Sequence, residues 1–139
     1  MSAVTPIEHL QELRALVSRL KKEHWELASD IDGLEGKIQA DEVDIVRKLF
    51  IPLQDSLTDH MLVEEFEVYP ELMRKNLFDA SISSIMQQHH GVTSSLGKME
   101  LSLRLGNFVQ FQSALGELAG VLRKHQPAEE EKVFPLAAG

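Results

Sequence analysis

The chain has 139 residues, 43% of them apolar and 26% charged, with a formal net charge of −8 and no cysteine. That is enough chain to bury one core, and the composition is ordinary for a soluble domain. The acidic balance and the lack of a basic cluster argue against nucleic acid or an anionic membrane as main partner, and no cysteine means neither disulfides nor thiolate ligands.

The first apolar stripe runs through Ile7, Leu10, Leu13, Leu16, Val17, Leu20, His24, Leu27, Ile31, Leu34 and Ile38, which predicts a helix over about 6–39. Asp32-Gly33 and Gly36 resemble a helix end, but the stripe continues through them. Glycine costs ~1 kcal/mol against alanine in a helix, which a packed stripe can offset. Turn chemistry falls near Gln39-Ala40-Asp41, with Asp41 placed to cap the next helix. The second stripe, from Val43 through Leu53, Leu57, His60 and Glu64 to Val68, predicts a helix over about 42–74, kinked or opened at Pro52. After Lys75-Asn76 a third helix is expected over about 78–105, carrying Ile82, Ile85, His89, Val92, Leu96 and Met99. Gly106-Asn107 gives the last turn, with Asn107 as cap, and Phe108 to Val133 extend a fourth helix over about 108–136. Pro127 is expected to break that helix and restart it. The steps are threes and fours throughout, without strand-like alternation. The fold class is therefore all-α, an antiparallel up-down-up-down four-helix bundle in a single domain over 1–139.

One pattern occurs twice. His24, His60, Glu64 and Pro70 recur as His89, His125, Glu129 and Pro135, each pair 65 positions apart. Between them the repeat keeps its phase, with Ile31 matching Leu96, Leu57 matching Leu122, and Tyr69 matching Phe134. The pattern implies a duplicated helical hairpin. Ligands that meet at one height of an up-down bundle must be equidistant from the intervening turn. The midpoints of His24–His60, Glu64–His89 and His89–His125 all fall on the turns placed by chemistry.

His60 and Glu64 are one helical turn apart and share a face, as do His125 and Glu129. His24 and His89 add an imidazole from each remaining helix. Four nitrogens and two carboxylates overfill one metal ion but suit two, bridged by both carboxylates. A bridged pair in a bundle favours iron; zinc, copper or manganese also suit these donors. Without a cation, two facing buried carboxylates would repel and lose their hydration. Glu130, five after His125, is the alternative fourth-helix carboxylate if Pro127 shifts the helix. Glu65, Glu130 and Glu131 are candidate acceptors for ligand histidines, with a solvated acidic face as the plainer account. His9 and His90 are expected at the surface, Tyr69 near the site, and Trp25 and Phe66 in the core or at a pocket rim.

These residues resemble the hemerythrin-like, or HHE cation-binding, family. The resemblance rests on His24, the segment DHMLVEEFEVYP from Asp59 to Pro70, the QHH step at His89, and KHQPAEEEKVFP from Lys124 to Pro135. It covers nearly the whole chain. It implies a four-helix bundle with a non-haem di-iron centre held by His24, His60, Glu64, His89, His125 and Glu129. Oxygen-carrying hemerythrins have a further ligand histidine four after the third-helix histidine; here that position is Thr93. One iron would then be less saturated.

The resulting expectation is a di-iron protein that binds or senses a small diatomic ligand, dioxygen or nitric oxide, at an open coordination position. The alternatives are an enzyme consuming peroxide or nitric oxide, or an iron storage or delivery protein. No protein partner is readable. No apolar run approaches the ~20 residues of a membrane span. The N-terminal MSAVTPIEHLQELRAL lacks the basic start and apolar centre of a signal peptide, so a cytoplasmic location is expected.

Overall fold

The computed structural model describes residues 5–139, and helices joined by short turns account for nearly all of them. Helix α1 spans Pro6–Gln39. Helix α2 covers 43–74, built from Val43–Val63, one π-helical turn Glu64–Val68, and Tyr69–Arg74. Helix α3 covers 80–104, as Ala80–Gln87 and His89–Arg104 with a break at Gln88. Helix α4 covers 108–138, as Phe108–Ala128, a second π-helical turn Glu129–Val133, and Phe134–Ala138. Around the bundle α1 packs on α2 and α4, and α3 packs on α4 and α2. Short turns between neighbours make them antiparallel. There is no strand among the described residues, and no helix is long and apolar enough to cross a membrane.

The helix starts follow local chemistry. At α1, Thr5 Oγ1 accepts from the Glu8 N–H at 3.1 Å and Glu8 Oε2 accepts from the Thr5 N–H at 3.2 Å, a capping box with Pro6 in the first turn. Asn107 Oδ1 accepts from the Gln110 N–H at 3.0 Å, so Asn107 caps α4. Asp41 does not cap α2; Glu42 holds that position without a side-chain bond. Asp41 instead adopts φ 60°, and Asn76 (φ 59°) and Gly106 (φ 67°) do the same in the other two turns. Each reversal thus uses one left-handed residue, a conformation that Asn, Asp and Gly reach most cheaply. Asp79 Oδ1 accepts from the Ile82 N–H at 2.9 Å, which starts α3 at Ala80 rather than near 78.

Pro127 behaves differently from expectation. Helix continues through Pro52 and through Pro127, so the restart expected at Pro127 does not occur. The irregular turns come later and occupy repeat-equivalent positions. The N–H groups of Tyr69 and Phe134 reach back five residues to the carbonyls of Glu64 and Glu129. Pro70 and Pro135 follow immediately. Proline has no N–H, and in a regular helix its ring would crowd the carbonyl four residues back, here Phe66 and Glu131. A widened turn relieves that crowding.

The buried apolar residues form two cores with a polar layer between them. The larger lies toward the α1–α2 and α3–α4 turns and includes Leu34, Phe50, Leu57, Val92, Met99, Phe111, Leu115 and Leu118. The smaller lies at the other end and includes Leu20, Val68, Tyr69, Leu72, Ile85, Val133 and Phe134. The buried His24, His60, Glu64, His89, His125 and Glu129 fall at the boundary between the two sets on every helix. Trp25 and Phe66 contribute to neither core: they are 73% and 75% exposed.

Candidate metal centre

All six residues predicted from the repeat converge in the polar layer. Glu64 and Glu129 are both fully buried, at 0% exposure. The regular helical span from His125 to Glu129 survives because the π turn begins at Glu129, so Glu129 points inward and Glu130 is not needed in its place.

Each carboxylate divides its two oxygens between two imidazole pairs. Glu64 Oε2 lies 3.2 Å from His60 Nε2 and 3.6 Å from His24 Nε2, while Glu64 Oε1 lies 3.1 Å from His89 Nε2. Glu129 Oε1 lies 3.0 Å from His24 Nε2, while Glu129 Oε2 lies 3.2 Å from His125 Nε2 and 3.8 Å from His89 Nε2. Two four-residue groups result: His24, His60, Glu64 and Glu129, then Glu64, His89, His125 and Glu129, with the donor atoms of each group within 4.8 Å of one another. Donors sharing an ion at about 2.1 Å stand roughly 3.0 to 3.4 Å apart. The inward-facing separations fall largely in or near that range.

The chemistry of the cluster also fits a cation. His24 Nε2, His60 Nε2, both oxygens of Glu64 and Glu129 Oε1 are buried without a hydrogen-bond partner among the described residues. Buried polar atoms left unpaired cost free energy, and here they aim at a common centre. His89 Nε2 and His125 Nε2 face each other at 3.1 Å, a separation that a shared cation would explain.

Without a cation, protons take up part of the charge. Burial alone would lower the pKa of His24, but contact with Glu129 and Glu64 outweighs it and raises the value to about 9. The same contest raises His89 to about 10, where Glu129, Glu64 and Glu65 outweigh burial. His60 is raised against burial by Glu64 and Glu23. Burial would raise Glu129, but Glu64 and the imidazoles of His125, His24 and His89 hold it well below the ordinary carboxylate value.

The outer ring nitrogens are held as well. His60 Nδ1–H donates to Glu23 Oε1 at 2.8 Å and His125 Nδ1–H donates to Gln88 Oε1 at 2.8 Å. His89 Nδ1–H donates to Glu65 Oε1 at 3.0 Å, and Glu130 Oε1 stands 3.8 Å from His24 Nδ1. Placing the proton on Nδ1 leaves Nε2 facing the centre. Glu65 therefore takes the acceptor role weighed for it, whereas Glu130 stands too far from His24 Nδ1 for a hydrogen bond, that nitrogen has no partner among the described residues, and Glu131 is exposed. Sequence reasoning missed Glu23 and Gln88. The signal for them was present: both immediately precede a helix histidine, and they too are 65 apart.

Other expectations resolve as follows. Tyr69 does reach the site, donating its hydroxyl to Glu129 Oε2 at 2.7 Å, and burial followed by the Glu129 charge raises its pKa. Thr93 is exposed, whereas Val92 is buried on the same regular helix as His89. His90 is exposed. His9 is only half-exposed and meets the buried Glu71 at 3.1 Å, joined there by Arg74. That contact ties the start of α1 to the end of α2. A cleft of about 740 Å³ beside it is lined by His9, Leu16, Arg19, Phe66 and Arg74, away from the polar layer. A cleft of about 250 Å³ reaches the layer, with Glu23, Glu26, Asp30, Asp59 and His60 in its walls.

Neither the curated proteins nor the solved structures searched gave a match to this chain. The family model described as "Hemerythrin HHE cation binding domain" matches residues 15–137, a span containing all six converging residues, so a metal-binding bundle is the common reading of motif, geometry and comparison. The chain belongs to the hemerythrin HHE cation-binding domain family.

Proposed function

We propose that the polar layer holds two iron ions and that this centre binds or senses a small diatomic ligand, dioxygen or nitric oxide. The observation that carries the reading is the division of Glu64 and Glu129, each giving one oxygen to His24–His60 or to His24 alone and the other to the His89–His125 side. That arrangement provides two imidazoles and two carboxylate oxygens per ion. Imidazole and carboxylate donors suit iron, and four protein donors leave positions for water or a small ligand. Bound iron would supply a redox-active cation with such open positions.

The chain's own residues then do three things. Glu23, Gln88 and Glu65 orient His60, His125 and His89 through their Nδ1–H groups. The apolar cores above and below limit water at the layer. The two carboxylates offset cationic charge in a buried setting where it would otherwise be costly.

The test is metal content with an absorption spectrum, taken on anaerobically reduced protein and again after air or nitric oxide. About two iron ions per chain and a ligand-dependent spectral change are expected. Protein that holds no iron after anaerobic reconstitution, or a spectrum unmoved by either gas, would overturn the proposal. Catalytic consumption of peroxide or nitric oxide would replace binding with turnover. Metal transfer to an apo acceptor faster than to a chelator would replace it with delivery.

A further inference from the structure

The two halves of the metal centre share a repeat, yet their surroundings differ at two repeat-equivalent places. The first is behind the fourth-helix histidine. His60 is backed by the carboxylate of Glu23, whereas His125 is backed by the neutral amide of Gln88, both at 2.8 Å. A carboxylate acceptor makes the imidazole a stronger donor to a cation than an amide does. The second is at the bridging carboxylates. Tyr69 donates its hydroxyl to Glu129 Oε2 at 2.7 Å, the oxygen on the His125 side. Phe134 takes the equivalent position, stacked on His24 with ring centroids 5.5 Å apart, and offers no hydroxyl. Both Glu64 oxygens are accordingly without a hydrogen-bond partner.

Both differences act in the same direction. A phenol bonded to a carboxylate oxygen stabilises that oxygen more when it is bare than when a cation has drawn its charge away. The bond therefore weighs against cation binding at Glu129 Oε2. The amide behind His125 does the same by leaving that imidazole less basic. The backing of the other two histidines leans the opposite way, since Glu65 Oε1 accepts from His89 Nδ1–H at 3.0 Å while His24 Nδ1 has no hydrogen-bond partner among the described residues and Glu130 stands at 3.8 Å, so one feature acts against the two above. Glu130 still lies close enough to favour a cation on the His24 side by charge.

We propose that Tyr69 and Gln88 make the two cation positions unequal, so that the His24–His60 position fills first and the His89–His125 position holds the more exchangeable ion. This rests on the two-ion reading above. Exchange of a single ion, rather than loss of the whole centre, is the functional consequence.

The experiment titrates metal-free protein with zinc, used as a redox-silent probe, against a chelator of known affinity while native mass spectrometry counts ions per chain. Two resolved steps are expected, separated by about tenfold or more, the usual scale of such outer partners. Gln88→Glu should tighten the second step by about tenfold and leave the first unchanged. Tyr69→Phe should move the second step in the same direction. His125→Gln should keep the tight ion, and His60→Gln should lose it. Two ions with equal affinity, or a second step unmoved or loosened in both Gln88→Glu and Tyr69→Phe, would overturn this inference alone. A chain that never takes a second ion would overturn the two-ion reading and the inference with it.

Discussion

The two apolar cores are made by the same four helices, yet they are built differently. The larger core is lined by regular helix on all sides and is apolar from Leu34 and Phe50 to Phe111 and Leu118. Among the described residues no charged side chain is buried beside it, and only the small hydroxyls of Ser95 and Ser102 are buried on the same stretch of α3. The smaller core lies past the polar layer, where α2 and α4 open into π turns and where Tyr69 and Phe134 lean back onto the site. The first holds itself together by burial alone. The second is separated from it by two buried carboxylates that need a counter-charge. One end of the bundle should therefore be indifferent to metal and the other sensitive to it.

Substitution in the larger core gives the largest effect. Leu118→Ala leaves a cavity at a fully buried position and should cost about 2–5 kcal/mol, read by denaturant unfolding. The loss should be nearly the same with and without metal. A loss confined to the metal-bound form would erase the distinction between the two ends.

Metal removal should come next. A cation that binds the folded chain and not the unfolded one stabilises by about 4 kcal/mol at a thousandfold excess over its dissociation constant. Thermal melting with and without reconstituted metal measures this, and Glu64→Ala should abolish the difference. Equal melting temperatures in the native sequence would contradict the coupling of metal to fold.

Titration sharpens the comparison further. In metal-free protein His24 and His89 have pKa values raised to about 9 and about 10. Their contribution to stability is fully present below the unfolded value of about 6.5 and is lost as pH rises through the folded values. Glu129, held low, contributes above the unfolded carboxylate value and loses that contribution as pH falls through its folded value. Metal-free protein should thus melt lower as pH rises from about 6.5 to 10, while metal displaces the same protons and binds more tightly. The gap in melting temperature between the two forms should widen over that window. A gap that narrows would reverse the assignment of the charged histidines.

The smallest effect lies far from the layer. Asn107→Ala removes the α4 cap and should cost about 1 kcal/mol, with metal content unchanged. A loss of metal in that variant would mean the larger core does not insulate the site from the turn.

Much of this was legible in the sequence because the same geometry was written twice. The 65-residue offset locates the six inward residues, and the turn midpoints place them at one height. What escaped had identifiable physical causes. Pro127 looked disruptive, but it sits in a helix whose packed stripe continues on both sides, and a single missing N–H did not break it. The π turns escaped because both halves carry one at the same place, so the repeat itself shows no slip. Thr93 stands one turn after His89, a spacing that suggested a vacant ligand position, but it is exposed while Val92 beside it is buried. Glu23 and Gln88 differ in charge, which hid their common role behind His60 and His125.

The π turns also keep time. Residues four apart on a regular helix advance about 40° around its axis, so three such steps drift about 120°. His60, Glu64, Val68 and Leu72 are spaced in that way, as are His125, Glu129, Val133 and Ala137, and all eight are buried. One extra residue taken up in a turn gives back about 100°, nearly the whole drift. The widened turn is thus a phase correction that lets a strict four-residue rhythm stay on one face from the ligands to the helix end. Deleting exposed Phe66 would return the turn to regular helix with Val68 and Leu72 still in phase, whereas making the turn regular without a deletion would rotate every residue beyond it, Tyr69 included, by about 100° away from the centre it now faces.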